Sequence, residues 1–528
     1  MSSVSKKILL IIFVFTAFYA HLRLQPYINP AAALHISVNR SEAKEIAAKS
    51  VGIKGNADVQ FEVDEDARIY LEREMGLQRT NSVAQQYGFI YNWTVIYPDG
   101  TNIYIDPEGR LNGCEFSDNR SPSVADGVNK YLEDKLQIKL ADYSVAAAPV
   151  QMDSHRPVKY QWERDNGKTG NAQEVITAVV CDGSLQKFRR SLQVPEYFKD
   201  IQGNQEQMGD ALTMLAQSLF AIPYLAAAWA IILAWRRREL RWRVAILPAV
   251  LVTIIAIVNQ LNMVLLFNYA RPDNIELAIT LATITAQSFT STMLLVAAGD
   301  WLYRQAFPDH PSMGAWFRLG GITAPGGKLR VGIGYALFAF HLGYVAIFYG
   351  IAHRFGGWSP ALVPYNDLFN SQTPWIYALL VGVHAAVFEE FLFRVVAISW
   401  LRKVLKNDII AVVIPALMWA FAHCNYAAQP FYIRGVELTV IGIIFGLIFL
   451  RFGPLPTLIS HAAFNAFLTA ESFLSDKSML PSFFIVIFFI AIPALLTLLP
   501  HKKVAKIRLN KQIASADVPV PEPEEVNI

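Results

Sequence analysis

A chain of 528 residues with 53% hydrophobic and 17% charged residues is too apolar for an ordinary soluble protein and too long for one domain. The net charge of +3 carries no nucleic-acid footprint, because the basic residues gather at the ends of apolar runs. Three cysteines give no metal-finger spacing. Cys114 and Cys181 lie in a polar region and could pair in an oxidising compartment or stand as two thiols. Cys424 ends an apolar run and reads as a filler.

Lys6 and Lys7 precede an apolar run from Ile8 to Ala20. Ala31-Ala32-Ala33 could be the cleavage site of a signal peptide, but it lies far from the end of the run. Residues 1–25 are therefore read as a retained anchor in preference to a signal peptide, and either sends the next segment across the membrane. Residues 26–205 read as a soluble α+β domain. Asn39 and Glu42 form a capping box before a helix over Ser41–Lys49. Asn92–Tyr97 and Asn102–Asp106 flank the turn Pro98-Asp99-Gly100 as a β-hairpin, with Leu111–Phe116 as a third strand. A second cycle comes next: a helix over Val124–Gln137, then strands over Lys159–Glu163, Glu174–Cys181 and Leu185–Leu192. Trp93 and Trp162 hold similar places in the two cycles, which resemble two copies of a PepSY-like module, a helix-and-hairpin unit found outside the membrane. His35 and His155 are isolated, so no catalytic cluster is expected here.

Residues 206–500 read as a transmembrane helical domain. Apolar segments run over Ala211–Trp235, Val244–Asn268, Leu277–Tyr303, Val331–Ala352, Trp375–Leu401, Ile409–His423, Val436–Leu450, Leu455–Leu474 and Phe483–Leu499. With the first run this makes about ten transmembrane helices in a polytopic α-helical membrane protein, the α+β domain being inserted after the first. Six basic clusters then fall on one side: Lys6-Lys7, Arg236 to Arg243, Arg304 to Arg330, Arg402 to Lys406, Arg451, and Lys502 to Lys511. The positive-inside rule makes that side cytoplasmic, with residues 26–205 outside and the C-terminus, 501–528, inside. The segment from Gln305 to Lys328, with Trp316 and Phe317, reads as interfacial, and the Pro/Glu-rich tail from Ser515 as disordered.

The chemistry gathers in Val387-Phe388-Glu389-Glu390-Phe391-Leu392-Phe393-Arg394, inside the apolar run Trp375–Leu401. Each ionisable group at that depth costs on the order of 3 kcal/mol on insertion scales, so three together call for a reason: a function, or a buried ion pair that fixes helix packing. On a helix Glu390 and Arg394 share a face and can pair. Glu389 is turned away by about 100° and keeps no partner inside the segment, which makes it a candidate base or metal ligand. Two later segments supply what it lacks: Trp419 with His423, and His461 with Asn465, each pair one turn apart. His384, His341, Asn259, Gln260 and Asn262 read as packing or interhelical hydrogen-bonding residues.

The sequence Glu389-Glu390-x-x-x-Arg394, an aromatic-x-x-x-His423 and His461-x-x-x-Asn465, in this order, resembles the three motifs of the CPBP (Abi) family, the CAAX-processing and bacteriocin-processing intramembrane proteases. The resemblance covers about residues 370–475 and departs from the family at Trp419, where phenylalanine is usual. It implies an intramembrane endopeptidase acting on membrane-anchored or lipidated peptides or proteins, in contact with membrane lipid. Glu389 would be the base, His423 would share the water, Asn465 with His461 would hold the oxyanion, and Arg394 would hold Glu390. The family is described both as glutamate-type and as metal-dependent. The metal-free mechanism is preferred here, with no cofactor; a zinc ion would use His423, His461 and Glu389 or Glu390. The rival is a non-enzymatic protein, a proton-coupled transporter or scaffold using the same buried charges, although no paired half-repeats of broken helices are found.

One difficulty is depth. His423 lies about 15 residues into its span and His461 about six, roughly 22 and 9 Å from the same side at the helical rise. Their meeting requires Arg451–Thr457, with Gly453, Pro454 and Pro456, to dip into the membrane beside a water-accessible cavity that reaches Glu389.

Overall fold

The computed structural model describes residues 3–28, 35–53, 55–88, 90–146, 150–151, 157–164, 169–264, 272–316, 318–359 and 368–501. Ala31-Ala32-Ala33, His155, Phe317, Lys502 to Lys511 and the Pro/Glu-rich tail lie outside them.

After helix α1 (Ser3–Ile28) the chain builds an antiparallel sheet. Its strands are β1 (Asp58–Val63), β2 (Tyr91–Ile96), β3 (Asn102–Ile105), β4 (Leu111–Glu115), β5 (Ser144–Val145), β6 (Val150–Gln151), β7 (Val158–Arg164), β8 (Gln173–Cys181) and β9 (Ser184–Gln193), in the order β1-β2-β3-β4-β9-β8-β7-β5, with β6 also on β7. The two expected cycles are the meanders β2-β3-β4 and β7-β8-β9, and pairing of β4 with β9 merges them into one sheet. Trp93 and Trp162 are buried in the first strand of each meander. The sheet is covered by α2 (Arg40–Val51), α3 (Glu65–Met75), α4 (Leu77–Tyr87) and the short α5 (Val128–Asp134). The capping box at Asn39 forms as its spacing predicts, Glu42 returning the bond to the Asn39 N–H at 2.9 Å. Helix α5 is shorter than the expected Val124–Gln137, because Gly127 at φ 104° breaks the backbone ahead of it.

No disulfide joins Cys114 to Cys181. Cys114 faces Phe188 across β4 and β9, and burial pushes its thiol up to about 12. Cys181 closes β8 and is partly exposed. An alkylating reagent at pH 8 is expected to label Cys181 and to spare Cys114 until the domain unfolds, as read by peptide mass mapping.

The helical part continues through α6 (Glu196–Ser218), α7 (Ala221–Arg236), α8 (Trp242–Val264), α9 (Asn274–Ala306), α10 (Pro325–Ala352), α11 (Pro374–Glu389), α12 (Ser399–Leu405), α13 (Asp408–Phe421), α14 (Ile433–Phe452), α15 (Pro454–Glu471) and α16 (Leu480–Thr497). Among the described residues seven helical runs are long and apolar enough to cross a membrane, and Ile12–Leu24 and Asp408–Phe421 are shorter apolar helices. The chain is thus a multi-pass helical membrane protein carrying a soluble α/β region. Helix α1 packs along α10 and joins α15 through buried His21, whose Nε2 lies 2.7 Å from Glu471.

The sheet domain is seated on the ends of two helical segments. Phe369, just before α11, is fully buried in the domain core, its ring 4.8 Å from that of Phe61. Asn370 pairs with the Phe61 backbone as a strand would, accepting from its N–H at 2.6 Å and donating to its carbonyl at 3.0 Å. Arg40 donates to the Phe369 carbonyl. Beyond α13, Gln429 bonds Arg73 at 2.9 Å and Gln202 of α6, Gln205 accepts from Phe431 N–H at 2.9 Å, and Thr213 accepts from Asn425 N–H at 2.8 Å. These bonds fix the two connections that lead into Glu389 and out of His423.

Candidate active site

Three neighbouring segments make the site. The first is α11 with its direct continuation. The apolar run is expected from its sequence to be one α-helix, but it is α-helical only to Glu389 and then a π-helix over Glu390–Ile398. Wider turns of this kind are frequent at functional sites. Here the change falls between the two glutamates. Gly382 brings the next segment close: a Cβ there would meet the Ala462 carbonyl of α15 at 2.7 Å. Asn262 of α8 steadies the start of α11, accepting from Thr373 N–H at 2.6 Å and donating to its carbonyl at 3.0 Å.

Helices α14 and α15 are joined by Gly453 alone, at φ 76°, and Pro454 opens α15 at once. This tight reversal starts α15, and His461 lies about two turns into it. The Arg330 guanidinium donates to the Phe452 carbonyl at 3.0 Å and satisfies one acceptor left at the helix end.

Glu390 is fully buried. Its Oε1 lies 3.2 Å from Arg394 Nη1 and 2.9 Å from His461 Nδ1. Glu389 is about one-fifth exposed, at 19%. The Trp419 indole N–H donates to Glu389 Oε2. His461 Nε2 stands 3.7 Å from Oε2 and His423 Nε2 stands 4.0 Å from Oε1. His423 Nδ1 lies 2.7 Å from the Trp419 carbonyl. Each histidine thus has its Nδ1 on an acceptor of the protein, so each can carry its proton there and turn a neutral Nε2 to Glu389. Trp419 links the parts: its N–H binds Glu389 and its ring lies 4.3 Å from the Arg394 guanidinium carbon.

Glu389, Glu390, Arg394, His423 and His461 therefore converge. Asn465 is half-buried one turn beyond His461; its carbonyl accepts from Thr469, and its side chain makes no hydrogen bond among the described residues. Trp419 is legible in the sequence only as an aromatic wall, and its donor role needs the position of Glu389. Three other expectations change. His341 is buried, but neither ring nitrogen has a hydrogen-bond partner among the described residues, and it stacks on Phe464 with centroids 3.5 Å apart. Asn259 donates to Met263 Sδ within its own helix instead of to a neighbour. His384 is exposed on the bundle beside Phe388 rather than packed in the core.

Among the described residues no group of three or more His, Cys, Asp or Glu side chains is arranged to hold an ion. Glu390 is committed to Arg394 and His461, and one Glu389 oxygen already accepts an indole N–H.

Residues 371–467 match the family model for type II CAAX prenyl endopeptidase Rce1-like proteins. The matched stretch holds every side chain of the cluster. Residues 371–467 thus resemble a CAAX-protease core. The sporulation-killing factor biosynthesis protein SkfC of Bacillus subtilis (strain 168) is 24% identical over 100 residues, which is 19% of this chain. The chain spans about a fifth of that relative's length. No solved structure matches. The matched stretch is thus about a fifth of the chain, and the sheet domain and the helices before α11 lie outside it.

Proposed function

We propose that the protein is an intramembrane endopeptidase that hydrolyses peptide bonds of membrane-associated or lipidated peptides or proteins with a water activated by Glu389. The observation that carries this reading is a partly exposed glutamate facing two histidine Nε2 atoms inside the stretch that matches the CAAX-protease family, beside a glutamate that is closed off and paired. Separations of 3.7 and 4.0 Å are too long for direct hydrogen bonds and suit a shared water. Glu389 takes a proton from that water, and the oxygen attacks the carbonyl carbon of the scissile bond. His423 and His461 orient the water. The Asn465 amide donates to the oxyanion, one turn from His461. As the tetrahedral intermediate collapses, the C–N bond breaks and Glu389 returns the proton to the leaving amine. Arg394 holds Glu390, and Glu390 holds His461.

In the same reading about ten helices span the membrane, the basic helix ends face the cytoplasm, and residues 26–205 form an extracytoplasmic domain of two PepSY-like units. The test is cleavage of a panel of membrane-anchored peptides, prenylated and unmodified, by purified protein in vesicles. A panel cut equally well by wild type and Glu389→Ala overturns the reading. Elemental analysis of wild type and His423→Ala tests the metal-free form of the mechanism; stoichiometric zinc lost in the variant overturns that form.

Trp419→Phe restores the residue usual in the family and removes the N–H that fixes Glu389. A hydrogen bond to a charged group contributes roughly 1.5–3 kcal/mol, so kcat is expected to fall about ten- to a hundredfold with KM little changed. Steady-state kinetics on any substrate the panel yields will check this.

A further inference from the structure

At the end of the bundle where the arginines gather, a cavity of about 640 Å³ opens between the α7–α8 turn, α9 and the segment before α10. Arg241, Trp242, Arg243, Asp300, Ser312 and Arg318 line it. The three arginines are exposed at its rim, and none has an ion-pair partner among the described residues. Asp300 lies at its floor, 1% exposed. Its Oδ2 accepts from Arg304 at 2.9 Å, while its Oδ1 is buried with no hydrogen-bond partner among the described residues. The walls are braced: Glu239 in the turn accepts from the Trp301 indole at 2.7 Å, and its carbonyl accepts from Arg304 at 2.9 Å.

Cations at a rim and a carboxylate oxygen at a floor ask for one ligand that is anionic outside and a cationic donor inside. Depth sets what that ligand is. Trp242 begins a candidate span and Asp300 lies within the last turns of another, so the cavity sits where a bilayer carries its headgroups. Arginines between helix ends at this level bind phosphate headgroups. The first turn of α8 adds N–H groups that favour an anion. We infer that this cavity binds an aminophospholipid headgroup, its phosphodiester held by Arg241, Arg243 and Arg318 and its primary ammonium by Asp300 Oδ1. A choline headgroup has no N–H to offer the carboxylate, and a glycerol headgroup brings no positive charge to it.

The test uses the full chain purified in detergent and titrated, under native mass spectrometry, with phosphatidylethanolamine, phosphatidylglycerol, phosphatidylcholine or inorganic phosphate. Phosphatidylethanolamine is expected to be retained about tenfold better than either other lipid, from one charge-assisted hydrogen bond. Arg243→Gln/Arg318→Gln is expected to lose at least that factor for it while melting as wild type does in lipid-free detergent. Should that variant not fold, Asp300→Asn is the second probe, expected to erase the preference for ethanolamine over glycerol. Tighter retention of either competing lipid by wild type overturns the ammonium assignment. Equal retention by the double-arginine variant overturns the site. Inorganic phosphate that binds as tightly, and is lost in the same variant, overturns the lipid as its occupant.

Discussion

Glu389→Gln is expected to abolish peptide cleavage while leaving a folded, monodisperse protein, and Glu390→Gln is expected to do the reverse first, by loosening the fold. The two residues are adjacent and chemically identical, so only their surroundings separate them. Glu389 is partly open, and its contacts are a donated indole N–H and two imidazoles at longer range. Glutamine there keeps the shape and an acceptor for Trp419 but cannot take a proton from water. Removal of a general base costs about 10²- to 10⁴-fold in rate. Glu390 is closed off against Arg394 and His461. Removing its charge leaves Arg394 buried beside it without a counter-ion, a loss of roughly 3–5 kcal/mol in buried pairs. Thermal melting in detergent and turnover of a vesicle-bound substrate, run on both variants, separate the roles. A Glu390→Gln protein that melts as wild type does while Glu389→Gln melts early would exchange the assignments.

The parts of the fold and site that are legible in the chain divide from the rest along a physical line. Glu390 and Arg394 are legible as a pair because their spacing survives the change of helix type. His423 and His461 are legible as residue types on neighbouring apolar segments. Their meeting is legible only as a requirement that Arg451–Thr457 dip into the membrane, and what the structure shows there is a one-residue joint at Gly453 between α14 and α15. The π-helix over Glu390–Ile398 is not legible, because nothing in that apolar stretch distinguishes one helical hydrogen-bond ladder from another. The donor role of Trp419 is hidden for a related reason: periodicity gives a face, and a hydrogen bond needs the neighbour. In the sheet domain the missed elements do carry signals. Val59, Phe61 and Val63 alternate along β1, and Asp64 caps α3 by accepting from Ala67 N–H at 3.1 Å. No pattern supplies the seating of that domain, since Phe369 and Asn370 read as loop residues ahead of an apolar segment and bind a strand about 300 residues earlier.

That seating sets the other large effect. Phe369→Ala is expected to destabilise the sheet domain by roughly 3–5 kcal/mol, the loss found when a core phenylalanine is truncated. Phe369 has no solvent exposure and lies against Phe61 and Trp93, so the space it leaves is walled by rings that belong to the domain. The residue itself belongs to the connection entering α11, so the same change frees the start of the helix that ends at Glu389. Asn370 and Arg40 would still reach their backbone partners, but through a joint with no apolar anchor. Cleavage is therefore expected to fall along with domain stability, although the substituted residue lies some twenty positions before the base. Hydrogen exchange distinguishes this from general unfolding: protection should drop in β1, β2 and the first turns of α11 and persist in α14 and α15. Loss confined to the sheet domain, with cleavage unchanged, would mean that the domain rests on the bundle without steadying the site. Loss in the paired α11 turns would make Phe369 the peg through which a domain outside the matched stretch sets the position of Glu389.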